Sequence, residues 1–349
     1  MRILIVTDAW RPQVNGVART YEELSTRLTS WAEVHILTPE QFKSLPLPTY
    51  PEIRLAVPPI KKVQKLIRDL GPDIVHIATE GPLGLLARST CLHFQIPFTT
   101  SYHTRYPEYL RGRFPVPLSW TYEVLKRFHN ASIHTLVSTK ALSVELRERG
   151  FQRPLVWRRG VNVEMFSKAE FVNIRLQRPI FLYVGRLAIE KNIDDFLKLN
   201  LPGTKIVVGD GPERIRLQNT YPNAKFFGFM YGDDLAAVYR AADCFVFPSK
   251  TDTYGLVMAE SLAAGTPVAC YPTSGFDEIA QGEKCGVASE NLREAALSAL
   301  AISRDLCSEV GRRHSFDESA RHFLQILENA YASYAATTSG EIDLSCDSI

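Results

Sequence analysis

Two cations follow an apolar run in the second half of the chain and could together bind a pyrophosphate. Arg186 and Lys191 come after the run Ile180–Val184 and one glycine, Gly185. An arginine offers a planar fork of hydrogen-bond donors, and a lysine offers a mobile point charge. The alternative is a pair of solvated surface cations. Their place directly after an apolar strand and a glycine, beside an expected cleft, favours the pyrophosphate.

Two carboxylates follow a later apolar run, Cys244–Phe247, and the second of them could bind the hydroxyls of a ribose. Asp252 lies in the loop before a predicted helix, and Glu260 lies further on, inside that helix. Because Glu260 shares its helix face with Leu256 and other apolar residues, its burial is costly unless it is hydrogen-bonded. Ribose hydroxyls are reasonable partners, as in other nucleotide sites. The alternatives are an N-cap-like role for Asp252 and an internal ion pair for Glu260.

A glycine and a histidine in the first half could face the same ligand. Gly16 follows Asn15 where the loop after the first apolar run enters a helix, and helix-start N–H groups favour anions. An ordinary turn is the alternative, and the loop alone favours it. His103 comes after the predicted strand Phe98–Tyr102. A lone histidine at a strand end is more often structural, but a position on the cleft edge favours a functional role.

These residues must be positioned by two α/β domains. Short β-branched runs alternate with helix-length segments, which indicates parallel sheets covered by helices on both faces. The pattern stops between Arg158 and Arg178 and then restarts, so we predict two doubly wound, Rossmann-like domains at residues 1–165 and 166–313. A ligand shared by such domains would lie in the cleft between them. The runs predicted as strands are Ile3–Thr7, Val34–Thr38, Ile53–Val57, Ile74–Ile77, Phe98–Tyr102, His134–Ser138 and Leu155–Arg158, then Ile180–Val184, Lys205–Val208, Ala224–Phe227, Cys244–Phe247 and Pro267–Tyr271.

The composition is that of an ordinary globular protein. The 349 residues are 45% hydrophobic and 22% charged, which excludes wholesale disorder and a fibrous structure. No window approaches the roughly 20 apolar residues of a membrane span. The six cysteines form no C-x-x-C pair, so we interpret them as reduced thiols of a cytoplasmic protein. The tail 335–349 is small, polar and acidic, and we expect it to be disordered.

The net charge of +2 hides an asymmetry between the two halves. Residues 1–165 carry 22 Lys and Arg against 14 Asp and Glu, or +8, and residues 166–349 carry 18 against 24, or −6. The segment Tyr102–His129 of the basic half interleaves cations with aromatic residues. Such interleaving suits the surface of an anionic membrane, with nucleic acid and phosphorylated acceptors as alternatives.

In this order, the motifs resemble those of the retaining GT-B glycosyltransferases of family 4, over nearly the whole chain. The strongest matches are Gly185-Arg186-Leu187 with Glu190-Lys191-Asn192, Ala242-Asp243 with Phe247-Pro248-Ser249, and the helix between Asp252 and Glu260 that ends in Gly265-Thr266-Pro267-Val268. Residues 76–84 (HIATEGPLG) are similar to the branch that contains sulfolipid synthases, glycosyl-diacylglycerol synthases and mannosyltransferases. The resemblance implies a GT-B fold with an acceptor-side first domain and a donor-binding second domain. It also implies a terminal helix at about 314–334 that crosses back onto the first domain.

The resemblance assigns roles to individual residues. Arg186 and Lys191 would neutralise the nucleotide diphosphate, with backbone donors at Gly16 facing the same phosphates, and Glu260 would bind the ribose. Asp252 stands where the family has a glutamate, one methylene longer, and would contact donor-sugar hydroxyls. The implied donor-binding residues are Asn15, Gly16, Gly185, Arg186, Lys191, Met230, Asp252, Tyr254, Gly255, Leu256 and Glu260. The implied catalytic residues are His103, Arg186, Lys191 and Asp252, and the implied acceptor-side residues are Tyr102, His103, Arg105 and Tyr106.

The implied reaction transfers a hexosyl group from a UDP- or GDP-sugar to a lipid or glycan acceptor, with retention and an α-glycosidic bond. Breaking the anomeric bond builds negative charge on the diphosphate, which Arg186, Lys191 and helix-start N–H groups would stabilise. The adjacent acids Asp194-Asp195 and Asp233-Asp234 form no D-x-D loop, so we expect no metal and no other cofactor. The expected partners are the nucleotide sugar, the acceptor and an anionic membrane at the inner face of the plasma membrane, without nucleic acid.

Other functions compete with this one. A soluble-acceptor synthase and a GT-B nucleotide-sugar epimerase are enzymatic alternatives. The aromatic and basic segment argues against a purely soluble acceptor. A dinucleotide-dependent oxidoreductase would also have doubly wound domains, but the chain lacks G-x-G-x-x-G and carries the pair of Arg186 and Lys191. The last alternative is a non-catalytic binding module.

Overall fold

Two parallel sheets organise the chain in the computed structural model, which describes residues 1–11, 16–47, 50–111, 116–168 and 175–338. In these ranges each sheet has six strands. Side chains that alternate along a central strand enter separate hydrophobic cores on the two faces of its sheet. Phe181 and Tyr183 enter one core of the second sheet, and Ile180, Leu182 and Val184 enter the other. This is the α/β architecture that the alternation of short strands and helices predicts.

The first sheet is built from the first half of the chain. The described strands there are β1 (Arg2–Val6), β2 (Glu33–Leu37), β3 (Ser44–Leu47), β4 (Tyr50–Ala56), β5 (Ile74–Ile77), β6 (Phe98–Ser101), β7 (Thr135–Val137) and β8 (Pro154–Val156). The described helices are α1 (Gly16–Leu28), α2 (Ile60–Leu70), α3 (Pro82–Phe94), α4 (Tyr106–Arg111), α5 (Leu118–His129) and α6 (Lys140–Glu148). The sheet order is β2-β1-β5-β6-β7-β8, and every pair of neighbours is parallel.

The second sheet repeats the pattern. Its strands are β9 (Ile180–Val184), β10 (Thr204–Val208), β11 (Lys225–Gly228), β12 (Cys244–Phe247), β13 (Val268–Cys270) and β14 (Gly286–Ala288), in the order β11-β10-β9-β12-β13-β14. The helices are α7 (Val163–Lys168), α8 (Ile193–Leu197), α9 (Arg214–Thr220), α10 (Gly232–Ala241), α11 (Leu256–Ala263), α12 (Ser274–Ala280), α13 (Leu292–Ala299), α14 (Arg304–Arg312) and α15 (Phe316–Thr338). The strand β14 was not predicted from the sequence.

One predicted strand has a different place. Ile53–Val57 was expected among the parallel strands, but β4 pairs with β3 as a separate antiparallel hairpin. Only residues 48–49 separate the two strands, and a parallel neighbour needs a crossover of about a dozen residues. The expectation of a parallel strand here is therefore wrong.

The chain passes between the two domains twice, and the two connecting segments run side by side. Val161 donates its N–H to His314 O at 2.8 Å, and Phe316 donates to Val161 O at 3.1 Å. A Cβ on Gly160 would lie 2.6 Å from Ser315 O, so this close approach requires glycine. The helix α7 spans the predicted boundary at 165 and packs against α10 and α11 of the second domain.

The last helix returns to the first domain, as the terminal helix of the family was expected to do. Its Ala320, Phe323 and Leu327 are buried in the same core as Ile3 and Ile5 of β1, which α1 also covers. The helix continues to Thr338, beyond the expected end at 334, so residues 335–338 are helical rather than disordered. Residues 339–349 lie outside the described ranges. Among the described residues, no helix has both the length and the apolar character needed to cross a bilayer.

Replacing Phe323 by alanine is expected to destabilise the first domain by about 3–5 kcal/mol, because removing a buried aromatic side chain leaves a cavity. The Phe323 ring lies 4.8 Å from the Trp157 ring, so tryptophan fluorescence during urea unfolding reports the change. Tyr331→Ala, at an exposed position of the same helix, is the control and should change the unfolding free energy by less than about 0.5 kcal/mol. Equal effects of the two substitutions would contradict the packing of α15 described above.

Candidate functional site

The loop between β12 and α11 joins the two domains across the cleft. Thr253 Oγ1 in this loop donates to the carbonyl of His103 at 2.7 Å. Ser138 Oγ, after β7, donates to the Thr253 carbonyl at 2.9 Å. The carboxyl ends of strands from both sheets therefore meet at one place, as expected for a ligand shared by two doubly wound domains.

Two helices begin close together at this place. A Cβ on Gly16, the first residue of α1, would lie 3.4 Å from Leu256 Cδ1 at the start of α11. Gly255 precedes α11 in the left-handed region, with φ of +78°, and no side chain caps that helix. Both helix starts carry partial positive charge and backbone N–H groups, which favour an anion between them. Asn15 lies outside the described residues, so its predicted role stays a prediction.

Lys191 and Asp252 form an ion pair at the same edge. Lys191 Nζ is 2.5 Å from Asp252 Oδ1, and both side chains are partly buried. The other carboxylate oxygen, Asp252 Oδ2, is buried without a hydrogen-bond partner. An unsatisfied buried carboxylate oxygen is costly, and a ligand hydroxyl that donates to it would remove that cost. This is the contact that the sequence predicts for Asp252.

Arg186 is positioned by the turn at the end of β9. Gly185 has φ of +153°, and the Tyr183 hydroxyl donates to the carbonyl of Arg186 at 3.0 Å. The Arg186 side chain is partly buried. The strand end thus brings Arg186 and Lys191 to the same edge of the second sheet.

Glu260 is buried on α11 and has two hydrogen-bond partners. Its Oε1 accepts from Arg19 Nη1 at 2.7 Å, and its Oε2 accepts from the Tyr239 hydroxyl at 3.1 Å. Burial raises the pKa of Glu260, while the Arg19 cation and the Tyr239 hydrogen bond act in the opposite direction. The ion pair considered for this residue is present, and it links α11 to α1 across the cleft. The predicted contact with a ribose stays a prediction.

His103 has both ring nitrogens hydrogen-bonded. Its Nε2 is 2.8 Å from the Tyr21 hydroxyl, and its Nδ1 is 2.9 Å from Arg159 Nη2. The Tyr21 hydroxyl is also 2.8 Å from His76 Nε2 and 3.0 Å from Ser101 Oγ. Burial, reinforced by the Arg159 cation, lowers the pKa of His103 well below its usual range. The imidazole is therefore neutral at physiological pH.

Several predicted site residues are engaged in packing instead. Tyr102 is fully buried, and Arg105 makes a two-pronged ion pair with Glu145 at 3.0 and 2.7 Å. Tyr254 is buried, with its hydroxyl 3.3 Å from His314 Nδ1, and Met230 packs against the core of the second domain. Tyr102, Arg105 and the Tyr254 side chain would have to move to meet a ligand. Tyr106 is exposed.

Sequence patterns do not single out Arg19, Tyr21 and Arg159, which complete the site. Arg19 and Tyr21 lie within the first two turns of α1, close to the helix start where an anion is expected. Arg159 lies in the segment that the sequence marks only as the break between the domains. Its one signal is an arginine directly before Gly160, which is at best a weak indication of function.

Metal-ligand residues do not cluster in this structure. Within the described ranges, no group of three or more His, Cys, Asp and Glu side chains could hold a metal ion. Function without a metal stays a prediction.

Two family models match adjacent parts of the chain. The model for Glycosyltransferase Family 4 matches residues 14–165, and the model for glycosyl transferases group 1 matches residues 166–323. Their shared border falls inside α7, between the two sheets.

Curated relatives extend this similarity. The chain is 28% identical to a GDP-mannose-dependent alpha-mannosyltransferase of Mycobacterium tuberculosis, over 82% of this chain and 83% of the relative. It is 27% identical to an alpha-monoglucosyldiacylglycerol synthase of Streptococcus pneumoniae, over 99% of this chain and 89% of the relative.

Solved structures share the fold at low identity. A sucrose-phosphate synthase of Thermosynechococcus elongatus superposes with a TM-score of 0.73 and 18% identity, covering 95% of this chain and 99% of that one. The HepE protein of Anabaena, solved with UDP and glucose, superposes with a TM-score of 0.68 and 16% identity, covering 94% of this chain and 100% of that one. The two-domain arrangement described above is thus a known one.

Proposed function

Because the chain belongs to the family 4 (group 1) glycosyltransferases, we propose that it transfers a hexosyl group from a UDP- or GDP-sugar to a lipid or glycan acceptor. We propose further that transfer proceeds with retention, gives an α-glycosidic bond and needs no metal. The observation that carries the proposal is the meeting of Lys191, the unsatisfied oxygen of Asp252 and two helix starts at one edge of the cleft.

In this proposal the diphosphate of the donor binds at the two helix starts. Bond cleavage leaves negative charge on it, and groups that are already in place stabilise that charge without reorganisation. Lys191 and Arg186 supply cations from the second domain, and the N–H groups at Gly16 and Leu256 supply donors from both domains. Charge on the leaving group is thus stabilised without a metal in this proposal.

The donor sugar fits beside Asp252. A sugar hydroxyl that donates to Asp252 Oδ2 would satisfy the buried oxygen, while Asp252 Oδ1 stays paired with Lys191 Nζ. His103 lies at the facing edge, and its carbonyl is bonded to Thr253, the next residue after Asp252. Glu260 would meet the ribose by exchanging its bond to Arg19 or Tyr239 for a bond from a ribose hydroxyl.

The choice of donor and linkage is supported by the relatives rather than by the geometry. The mycobacterial relative is named for GDP-mannose, and the HepE structure contains UDP. Both curated relatives are named for an alpha linkage, and the streptococcal one is named for a diacylglycerol product. A soluble acceptor and nucleotide-sugar epimerisation remain the alternatives that product analysis must exclude.

The proposal is tested by turnover with UDP- and GDP-sugars in the presence of lipid and glycan acceptors. We expect release of one nucleoside diphosphate per glycosidic bond, an α-anomeric product by NMR and no loss of rate in EDTA. A thermal-shift screen identifies the donor, since a ligand that binds only the folded state raises Tm. No shift with any nucleotide sugar and no release of diphosphate would contradict the proposal. An inverted product, or a rate that depends on added metal, would contradict only the corresponding part.

We also propose that the first domain contacts an anionic membrane through α5. Trp120 and Val124 are 63% and 49% exposed, and with Arg127 they lie on one face of the helix. An exposed tryptophan beside a cation suits the boundary between head groups and acyl chains. The contact is narrower than the segment Tyr102–His129 suggests, because Tyr122 and Phe128 are buried. Arg113 and Phe114, which also belong to that segment, lie outside the described residues.

Trp120→Ala is expected to lower binding to anionic vesicles roughly tenfold or more, since burying a large apolar side chain is worth about 1.5–3 kcal/mol. Co-sedimentation at low salt with vesicles that contain phosphatidylglycerol measures the partition coefficient. Trp31→Ala, at the other exposed tryptophan after α1, should leave binding unchanged. Failure of the wild-type protein to sediment with these vesicles would refute the membrane contact.

A further inference from the structure

The segment that leads from the first domain to the second brings a buried arginine to the side of His103. Arg159 is only 4% exposed, and its guanidinium carbon lies 3.9 Å from the centroid of the Trp157 ring. Its Nη2 reaches His103 Nδ1 at 2.9 Å, while its Nη1 is buried without a hydrogen-bond partner. A buried cation that lacks full compensation is costly, which favours a role for its contact with His103.

The contact determines where the His103 proton lies. A guanidinium can only donate hydrogen bonds, so Nδ1 must accept and carries no proton. The proton of the neutral ring is then on Nε2, which donates to the Tyr21 oxygen. The Tyr21 proton in turn points to His76 Nε2 or Ser101 Oγ. Protonation of Nδ1 would point its N–H at the N–H of Arg159 and place two cations in contact.

We propose that Arg159 is a positioning residue that holds His103 in the neutral Nε2–H tautomer, with its one proton committed to the Tyr21 oxygen and no proton accepted on Nδ1. The neutral ring would then add no positive charge beside the donor sugar, a consequence that rests on the proposed function. The tautomer itself is a property of the protein alone and can be measured without any substrate.

The side chains around the ring agree with this state. Tyr21 comes from α1 and His76 from β5, and burial lowers the pKa of His76 to about 3, so this neighbour is neutral. Burial also raises the pKa of Tyr21, which keeps its hydroxyl protonated. Burial lowers the pKa of Arg159 only to about 10, so the guanidinium remains a cation at neutral pH.

Two groups further from the ring, both within the described residues, are engaged elsewhere. His129 from α5 pairs with Glu80 at 3.1 Å, so this carboxylate is engaged by another histidine. The loop from the second domain offers the Thr253 hydroxyl, which bonds to the His103 carbonyl rather than to the ring. The two hydrogen bonds of the ring therefore go to a hydroxyl and a cation, and neither stabilises an imidazolium.

Nitrogen NMR of the full-length protein labelled with ¹⁵N-histidine tests the proposal, with the His103 signals assigned from His103→Gln. In the wild type we expect the Nε2–H pattern from pH 5.5 to 8.5, with no titration. Arg159→Gln removes the charge, and the ring is expected to titrate with a midpoint that moves toward the usual value of about 6.5. Arg159→Lys keeps a cation that can donate to Nδ1, so it should preserve the neutral ring. Arg158→Gln, at the exposed neighbouring arginine, should change nothing.

Two outcomes would overturn the proposal: a wild-type His103 that titrates near pH 6.5 or carries its proton on Nδ1, and an Arg159→Gln ring identical to that of the wild type. If Arg159→Gln does not fold, the NMR measurement on the wild type alone still tests the tautomer of His103. With an active donor, the pH profile of kcat/KM for Arg159→Gln should gain an acid limb at the midpoint that NMR gives for its His103 ring, because only the neutral ring matches the wild-type state. The wild type should show no such acid limb. If no nucleotide sugar is turned over, the proposed function fails, while the NMR result still tests the tautomer.

Discussion

Lys191→Ala is expected to lower kcat/KM for the cognate nucleotide sugar by about 100- to 1000-fold, the usual cost of removing one group that stabilises developing negative charge. Lys191 Nζ lies 2.5 Å from Asp252 Oδ1, at the edge of the cleft where α1 and α11 begin. Its loss removes a cation from the leaving group and also leaves Asp252 without that partner. Steady-state kinetics at saturating acceptor measure the effect.

A double variant separates these two causes. In Lys191→Ala/Asp252→Asn the unpaired carboxylate is neutral, so a loss caused only by Asp252 would be relieved. We expect no relief, because the missing cation is the dominant effect. Lys198→Ala is the matched control, since Lys198 is 62% exposed and pairs with Asp195 on the surface. Wild-type turnover by Lys191→Ala would rule out the role assigned to Lys191.

Glu260→Gln is expected to weaken binding of the cognate nucleoside diphosphate roughly 10- to 100-fold. Hydrogen bonds to a charged group are worth about 1.5–3 kcal/mol, and about 1.4 kcal/mol corresponds to a factor of ten. The glutamine has nearly the same shape and can still accept from the Tyr239 hydroxyl, so the substitution removes mainly the charge. Titration calorimetry with UDP and GDP measures the dissociation constant.

The control for this prediction is Glu283→Gln, at an exposed glutamate that pairs with Arg313. It should leave the dissociation constant unchanged. Since Arg19 loses its anionic partner in Glu260→Gln, a thermal melt of the protein alone reports any general destabilisation separately. Unchanged affinity in Glu260→Gln would mean that the ribose is held by other groups and that the pair with Arg19 has only a structural role.

The sequence predicts the strands best where a short, mostly apolar run is bounded on at least one side by aspartate, proline or glycine. The bounds of β5, β9 and β12 are those predicted, because each run is buried in the middle of a parallel sheet. The hairpin was missed because β3 was not predicted and because Ile53–Val57, which overlaps β4, was expected among the parallel strands. Pairing direction depends on the length of the link between strands, which apolar periodicity does not report.

The site residues also divide into those that local sequence patterns reveal and those that they do not. The loops that carry Arg186, Lys191, Asp252 and His103 follow strand ends, and local patterns are enough to find them. The partners of these residues come from distant positions: Arg19 meets Glu260 across 241 residues, and Arg159 meets His103 across 56. Nothing local indicates such contacts, and the charge state of His103 depends on one of them. Sequence motifs therefore predict which groups are present, while the packing determines their protonation.

The return of α15 to the first domain has a consequence for synthesis on the ribosome. The core around Ile3 and Trp157 is closed by Phe323 and Leu327, which are made long after the strands that they cover. At about 5–20 residues per second, the roughly 160 residues between β8 and α15 take about 8–32 s to translate. During this interval one apolar face of the first sheet is covered in the nascent chain by α1 but not yet by α15. The first domain thus reaches its final packing only after α15 has been translated.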